Sequence, residues 1–226
     1  MTVDVVRPFA SVEALRFGWD KTLANLKPLL IIGAIGAFFA LLEQVLSDEG
    51  ALGALLMIIV RVVQVALTLA LIRAALQVHD GEPVDVSRPG ALLSEFFPFL
   101  LTYVLYGLIV GFGLVLLIVP GVIWGLKFFF ATFLVADKKL DPIEALRASS
   151  RLTDGVKTQL LVFALLMGGV NLLGALALGV GLLVTVPTTF IASAYVFRRL
   201  QARAAERAQI TAQIPPLSAP PATATP

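Results

Sequence analysis

The chain has 226 residues, of which 58% are hydrophobic and only 14% are charged. A soluble globular domain carries about 25% charged residues, so this composition excludes the ordinary soluble classes and favours a membrane protein. The net charge of +2 gives little support to nucleic-acid binding. The absence of cysteine excludes disulfides and thiolate metal sites, and the single histidine, His79, excludes a histidine cluster. We therefore expect no metal site and no cofactor.

Six apolar stretches of roughly transmembrane length divide the chain. Short turns join them in pairs, and helices joined by such turns are antiparallel neighbours. We predict an all-α, polytopic membrane protein in which residues 28–200 form six transmembrane helices as three hairpins. The predicted spans are residues 28–46, 51–78, 96–119, 122–136, 159–180 and 182–197.

The distribution of basic residues predicts the topology. Fifteen of the seventeen Lys and Arg residues lie in four segments that alternate with the hairpins, and the three turns on the other side carry none. Basic loops stay in the cytoplasm, so both termini are predicted to be cytoplasmic. The basic segments are residues 1–27, 73–95, 138–157 and 198–207.

The segment before the first span, residues 1–27, has apolar residues at helical spacing. This pattern predicts an amphipathic helix at the cytoplasmic interface, with Trp19 at headgroup level and Arg16 on the polar side. The alternative is that the helix only leads the chain into the first span. At the other end, residues 201–226 are predicted to be a helical extension followed by a disordered Pro/Ala-rich tail.

A second interfacial helix is predicted over residues 142–153, with Arg147 on its polar side. Asp141 supplies an N-cap, Pro142 the first helical position and Glu144 the N3 acid, which is a variant of the capping box. Residues 12–16 (VEALR) and 143–147 (IEALR) match at four of five positions, and each precedes an outward span by about a dozen residues. This match predicts an internal duplication.

Several short motifs resemble those of bacterial integral membrane proteins related to the membrane domain of glycerophosphoryl diester phosphodiesterase. The motifs are residues 13–19 (EALRFGW), 120–124 (PGVIW), 133–137 (FLVAD) and 142–149 (PIEALRAS). The resemblance implies the fold of that family and the bacterial cytoplasmic (inner) membrane. Some members fuse these helices to a soluble phosphodiesterase, whereas many stand alone without an assigned activity. A single His cannot supply the phosphodiesterase chemistry, so the resemblance leaves the function open.

Polar residues inside the predicted spans are the remaining functional candidates, because each costs a few kcal/mol near the bilayer centre unless it is paired or hydrated. They are Glu43, Arg61, Gln64, Lys127 and Asn171. We expect Glu43 to pair with Lys127, and Arg61 to be held by Gln64, Asn171 or backbone carbonyls. In a functional interpretation Arg61 and Lys127 line one cavity for an anionic ligand. In a structural interpretation they are bridges or reach an interface.

Composition and motifs favour a non-enzymatic membrane protein that organises lipid or partner proteins. The alternative is a small-solute or lipid transporter with an anion-binding cavity at Arg61 and Lys127. An enzyme is disfavoured, because no nucleophile, metal set or acid pair lies within the spans, and no catalytic residue is predicted. The expected partners are the bilayer, anionic lipid, and a protein partner or second copy, with no nucleic acid.

Overall fold

The computed structural model describes residues 9–46, 50–84, 89–177 and 179–213. Within these ranges the chain forms nine helices and no strand, so the all-α prediction is confirmed for this part of the chain. The predictions for residues 1–8, for the acidic turn at 47–49 and for the tail beyond 213 lie outside the described residues. The helices are α1 (Ser11–Ala24), α2 (Leu26–Leu46), α3 (Gly50–Asp80), α4 (Pro89–Leu116), α5 (Ile118–Phe128), α6 (Ala131–Lys138), α7 (Pro142–Leu152), α8 (Lys157–Leu176) and α9 (Leu182–Gln213).

Five stretches of the described residues are long and apolar enough to cross a membrane, by length and composition. Only 11% to 39% of the most apolar window of each is buried inside the protein, so most of this apolar surface faces outwards. Contiguous exposed apolar surface of this extent is incompatible with water and is what a bilayer covers. The chain is therefore a multi-pass membrane protein. The five stretches are Leu26–Leu46, Leu52–Asp80, Ser94–Leu116, Ile118–Lys138 and Lys157–Leu176.

The sixth predicted span, residues 182–197, begins where α9 begins but is not among these five. Its apolar part is interrupted by Pro187 and by several Thr and Ser residues, and it ends at Arg198. α2 packs on α3, α4 on α5 and α8 on α9, as neighbours in sequence. The arrangement of six spans as three hairpins stays a prediction.

The turn between the third and fourth predicted spans is displaced from Pro120-Gly121. α4 ends at Leu116 and α5 starts at Ile118, with extended backbone at Leu117 (φ −163°, ψ 145°). Pro120 therefore lies in the first turn of α5, where the missing N–H costs nothing because it would have no helical partner. Gly121 packs directly on α4, since a Cβ on Gly113 would lie only 2.8 Å from the Gly121 Cα.

The fourth predicted span, residues 122–136, is not one continuous helix. α5 ends at Phe128, the chain turns at Phe129 and Phe130, and α6 begins at Ala131. α6 ends at Lys138, and the left-handed backbone of its C-cap Lys139 (φ 54°) reverses the chain towards α7. After this reversal α7 contacts α4, α5 and α6.

α1 packs along α9 through a stripe of small residues, Ala14, Gly18 and Thr22, all of which are buried. A Cβ on Gly18 would lie 2.5 Å from the Thr188 carbonyl oxygen, so only glycine permits this approach. Trp19 is exposed on the other side of α1. The helix predicted within residues 1–27 therefore forms, and its small face rather than its large apolar face contacts the bundle.

Ion pairs join the helices at one end of the bundle. Arg198 of α9 bridges Asp80 of α3, at 2.5 Å, and Asp137 of α6, at 2.8 Å. Burial alone would lower the pKa of Arg198, but the hydrogen bond to Asp80 and the Asp137 carboxylate outweigh it and raise that pKa, so the guanidinium stays charged. Glu95 of α4 binds Arg73 and Lys139 at the same end. We call this the basic end.

Candidate functional site

α7 is fixed beside α5 by two buried hydroxyl residues that compensate the helix break. The Ser149 hydroxyl donates to the Lys127 carbonyl at 3.0 Å and accepts the Phe130 N–H at 3.2 Å. The Thr153 hydroxyl also lies 3.0 Å from the Lys127 carbonyl oxygen. These contacts satisfy backbone groups that the turn at Phe129 removes from helical pairing. The capping box predicted for α7 is wrong in one respect, because Asp141 occupies the N-cap without a side-chain hydrogen bond.

The junction of α5 and α6 lies at the basic end. The Phe130 ring contacts the Phe197 ring, with centroids 5.6 Å apart, and Phe197 directly precedes Arg198. Lys127 therefore lies close to the basic end.

Three basic side chains line one groove between α5 and α7. Lys127 comes from α5, whereas Arg147 and Arg151 lie one turn apart on α7 and so share a face. The groove has a volume of about 470 Å³, and Ser150 and Phe128 also line it. Among the described residues, no acidic one lines it. We call this the cationic groove.

An apolar groove of about 520 Å³ continues from it between α4 and α5. Lys127 and Phe128 line both spaces, so the two grooves meet at these side chains. The remaining lining is Leu108, Ile109, Phe112 and Trp124. The combined surface offers positive charge at the basic end and hydrocarbon contacts along the helices.

The Lys127 ammonium lies 5.3 Å from the centroid of the Phe128 ring, a cation–π contact. Such a contact contributes about 0.5–2 kcal/mol and leaves the ammonium protons available to an anion. Arg147 and Arg151 are exposed, and Lys127 is half-buried. The groove can therefore supply three positive donors to one anionic group, with charge-assisted hydrogen bonds.

The predicted pair of Glu43 with Lys127 is wrong. Glu43 forms its ion pair with Arg61, while Gln64 donates to Glu43 at 3.2 Å and accepts from Arg61 at 3.3 Å. The expectation that Gln64 holds Arg61 is confirmed. This triad joins α2 to α3 away from the basic end, in a groove that shares no lining residue with the cationic groove. In the part of the chain that the structure describes, Arg61 and Lys127 therefore line different grooves.

Asn171 lies apart from both charged sites, on α8, where it donates to Thr189 of α9 at 3.4 Å. Of the three interfacial candidates, Arg16 and Trp19 are exposed on α1, and Arg147 is exposed in the cationic groove. The structure therefore brings the predicted candidates together in two separate groups, Glu43 with Arg61 and Gln64, and Lys127 with Arg147.

Sequence reasoning missed Arg151, Ser150 and Glu95. Arg147 and Arg151 are four residues apart on a predicted helix, so their common face was available as a signal. Their proximity to Lys127 was not, because it depends on the break after Phe128. Glu95 is buried at 5% exposure, and its place next to the predicted third span concealed its role as partner of two basic residues.

Comparison with protein-family models, curated proteins and solved structures finds no match to this chain. The resemblance to the phosphodiesterase-linked membrane proteins accordingly stays a prediction.

Proposed function

We propose that this protein is a non-enzymatic integral membrane protein that binds anionic phospholipid and thereby organises lipid around its cytoplasmic face. The phosphate lies in the cationic groove, held by Lys127, Arg147 and Arg151. One acyl chain follows the apolar groove between α4 and α5. The observation that carries the proposal is a groove with three basic residues and no acidic one that continues directly into a hydrocarbon surface.

The position of the groove supports a lipid ligand over a free anion. The apolar groove lies on the outside of the apolar helices α4 and α5, where a bilayer supplies lipids at high local concentration, and the cationic groove adjoins it. The basic segments predict that this end faces the cytoplasm, whose leaflet is rich in anionic lipid. α9 is proposed to complete a sixth crossing, with both termini in the cytoplasm. The proposed location is the bacterial inner membrane.

The test is lipid titration of the purified full-length protein in a zwitterionic detergent, measured by native mass spectrometry. We expect phosphatidylglycerol to bind more tightly than phosphatidylcholine. Replacing Lys127, Arg147 and Arg151 together by Gln should weaken phosphatidylglycerol binding by about 100-fold, because each basic residue contributes about 1 kcal/mol near an anionic headgroup.

The matched control is the triple variant Arg16→Gln, Lys21→Gln and Lys27→Gln, which removes the same charge from another part of the chain. This control should bind phosphatidylglycerol as the wild type does. Soluble glycerol phosphate should not compete, because it lacks the chain that the apolar groove holds. Equal weakening of phosphatidylglycerol binding in both triple variants would show that binding depends on nonspecific charge attraction and not on the groove. This result would overturn the proposal.

A further inference from the structure

A separate cavity of about 250 Å³ lies between α3, α4, α6, α8 and α9. Its lining combines aromatic and aliphatic side chains with several uncharged polar groups, and none of its lining residues carries a charge. The polar groups come from Thr68, Tyr103, Tyr106, Thr132, Asn171, Thr189 and Ser193. The anionic site proposed above does not involve this cavity.

Four of the six hydroxyl groups of this cavity are arranged to accept hydrogen bonds. Thr68, Tyr106, Thr189 and Ser193 each donate their proton to a backbone carbonyl, at 2.7 to 3.2 Å. A hydroxyl that has donated its only proton keeps acceptor capacity. A molecule entering the cavity therefore meets hydrogen-bond acceptors.

The orientation of the Asn171 amide follows from the hydrogen bond that Thr189 donates. Because the Thr189 proton goes to the Val186 carbonyl, Thr189 can only accept from Asn171, so the amide NH₂ must face it. The Asn171 Oδ1 atom is then buried with no hydrogen-bond partner among the described residues. An unpaired buried acceptor costs about 1–3 kcal/mol. The Oδ1 atom has almost no accessible area as it stands, but Asn171 lines the cavity, so a donor placed there recovers this cost when the amide turns towards it.

A larger groove adjoins this cavity on the outer surface of α3 and α4. Its volume is about 710 Å³, and Thr68 and Tyr103 line both spaces. Most of its other lining is aliphatic, including Met57, Ile58 and Leu100. Arg61 also lines it, but its charge is balanced by Glu43. The groove can therefore hold the hydrocarbon chain of a ligand whose polar end passes Thr68 and enters the cavity.

We propose that this pair of spaces binds an uncharged, hydroxyl-bearing lipid of the monoacylglycerol type. Its hydroxyl groups donate to Asn171 and the neighbouring hydroxyl oxygens, and its acyl chain lies in the groove between α3 and α4. A charged head is disfavoured, because the cavity has no counter-charge and burying an unpaired ion is costly. Asn171 acts here as the residue that selects a donor.

The experiment uses the full-length protein in an amine-oxide detergent, which has no hydroxyl group to compete. Native mass spectrometry compares monoolein with the same molecule methylated on both hydroxyls, and with oleate. We expect the dimethyl ether and oleate to bind at least tenfold more weakly than monoolein. Asn171→Leu should reduce monoolein binding to the level of the dimethyl ether.

Two controls keep the result interpretable. Asn25→Leu replaces the other asparagine of the chain, at the α1–α2 junction, and should leave monoolein binding unchanged. The Gln triple variant of the cationic groove should also bind monoolein normally, which separates this site from the anionic one. If Asn171→Leu does not fold, the ether comparison on the wild type decides alone. Equal binding of monoolein and its ether, or no binding of monoolein, overturns the proposal.

Discussion

At the scale of residues, the two basic side chains within the predicted spans have opposite environments. Arg61 is 66% exposed at its side chain, but it is paired with a Glu43 carboxylate that is 17% exposed, and Gln64 bridges them. Lys127 contacts an aromatic ring and lines a groove without acids. We infer that the first charge stabilises the α2–α3 pair, whereas the second is available for a ligand.

This difference gives a residue-level prediction. Arg61→Leu should lower the thermal stability in detergent, because it leaves the Glu43 charge without its partner, and breaking such a pair costs about 3–5 kcal/mol when it is shielded from water. Adding Glu43→Leu should recover much of the loss. Lys127→Gln should lower the melting temperature less than Arg61→Leu does, because only a cation–π contact of about 0.5–2 kcal/mol is lost, while it weakens phosphatidylglycerol binding. An equal loss of stability in Arg61→Leu and Lys127→Gln would contradict these assignments.

At the scale of elements, apolar length and breaker residues predicted most helices well. The predicted start of α9 is correct, and α2, α3 and α7 end or begin within two residues of the prediction. The errors lie between Leu116 and Ala131 and at the end of α8, which is Leu176 whereas the fifth span was predicted to end at residue 180. A Pro-Gly pair predicts a turn, yet proline is also favoured in the first turn of a helix. Pro120 lies in the first turn of α5.

The helix break after Phe128 could not be predicted from local sequence. It is stabilised by Ser149 and Thr153, more than eighteen residues along the chain, which bond the freed backbone groups. A residue pattern reports which face of α7 is polar, but it does not report which helix that face will reach. For this reason the sequence could identify Lys127 and Arg147 as candidates and could not bring them together.

The anchoring of α7 provides an element-level prediction. Ser149 and Thr153 are fully buried, so the double variant Ser149→Ala, Thr153→Val leaves the Lys127 carbonyl and the Phe130 N–H without these partners. We expect a loss of about 1–3 kcal/mol for each group left unpaired. Phosphatidylglycerol binding should weaken as well, although no basic residue has changed. Thr158→Val, at the exposed start of α8, is the control and should alter neither property; unchanged lipid binding in the double variant would mean that α7 is held by other contacts.

At the scale of the whole molecule, α9 contacts α1, α2, α3, α7 and α8. Every residue of α9 from Ile191 to Phe197 is buried. Some of its polar residues face other helices, where Thr188 bonds Thr22 of α1 and Asn171 of α8 bonds Thr189. A helix surrounded by protein does not need a fully apolar surface to lie in a membrane. The less apolar composition of α9 is therefore compatible with the proposed sixth crossing.

The number of crossings can be tested directly because the chain contains no cysteine. Ala177 directly follows α8 and lies near the start of α9. The exposed Ala205 lies near the other end of α9, beyond the basic end. If α9 crosses the membrane and the basic segments are cytoplasmic, Ala177→Cys should react with a membrane-impermeant maleimide in intact cells. Ala205→Cys should react only after permeabilisation, and the wild type should not react at all. Labelling of both cysteines from the same side would mean that the protein has five crossings. The reversed labelling pattern would support the sixth crossing but place the cationic groove in the outer leaflet.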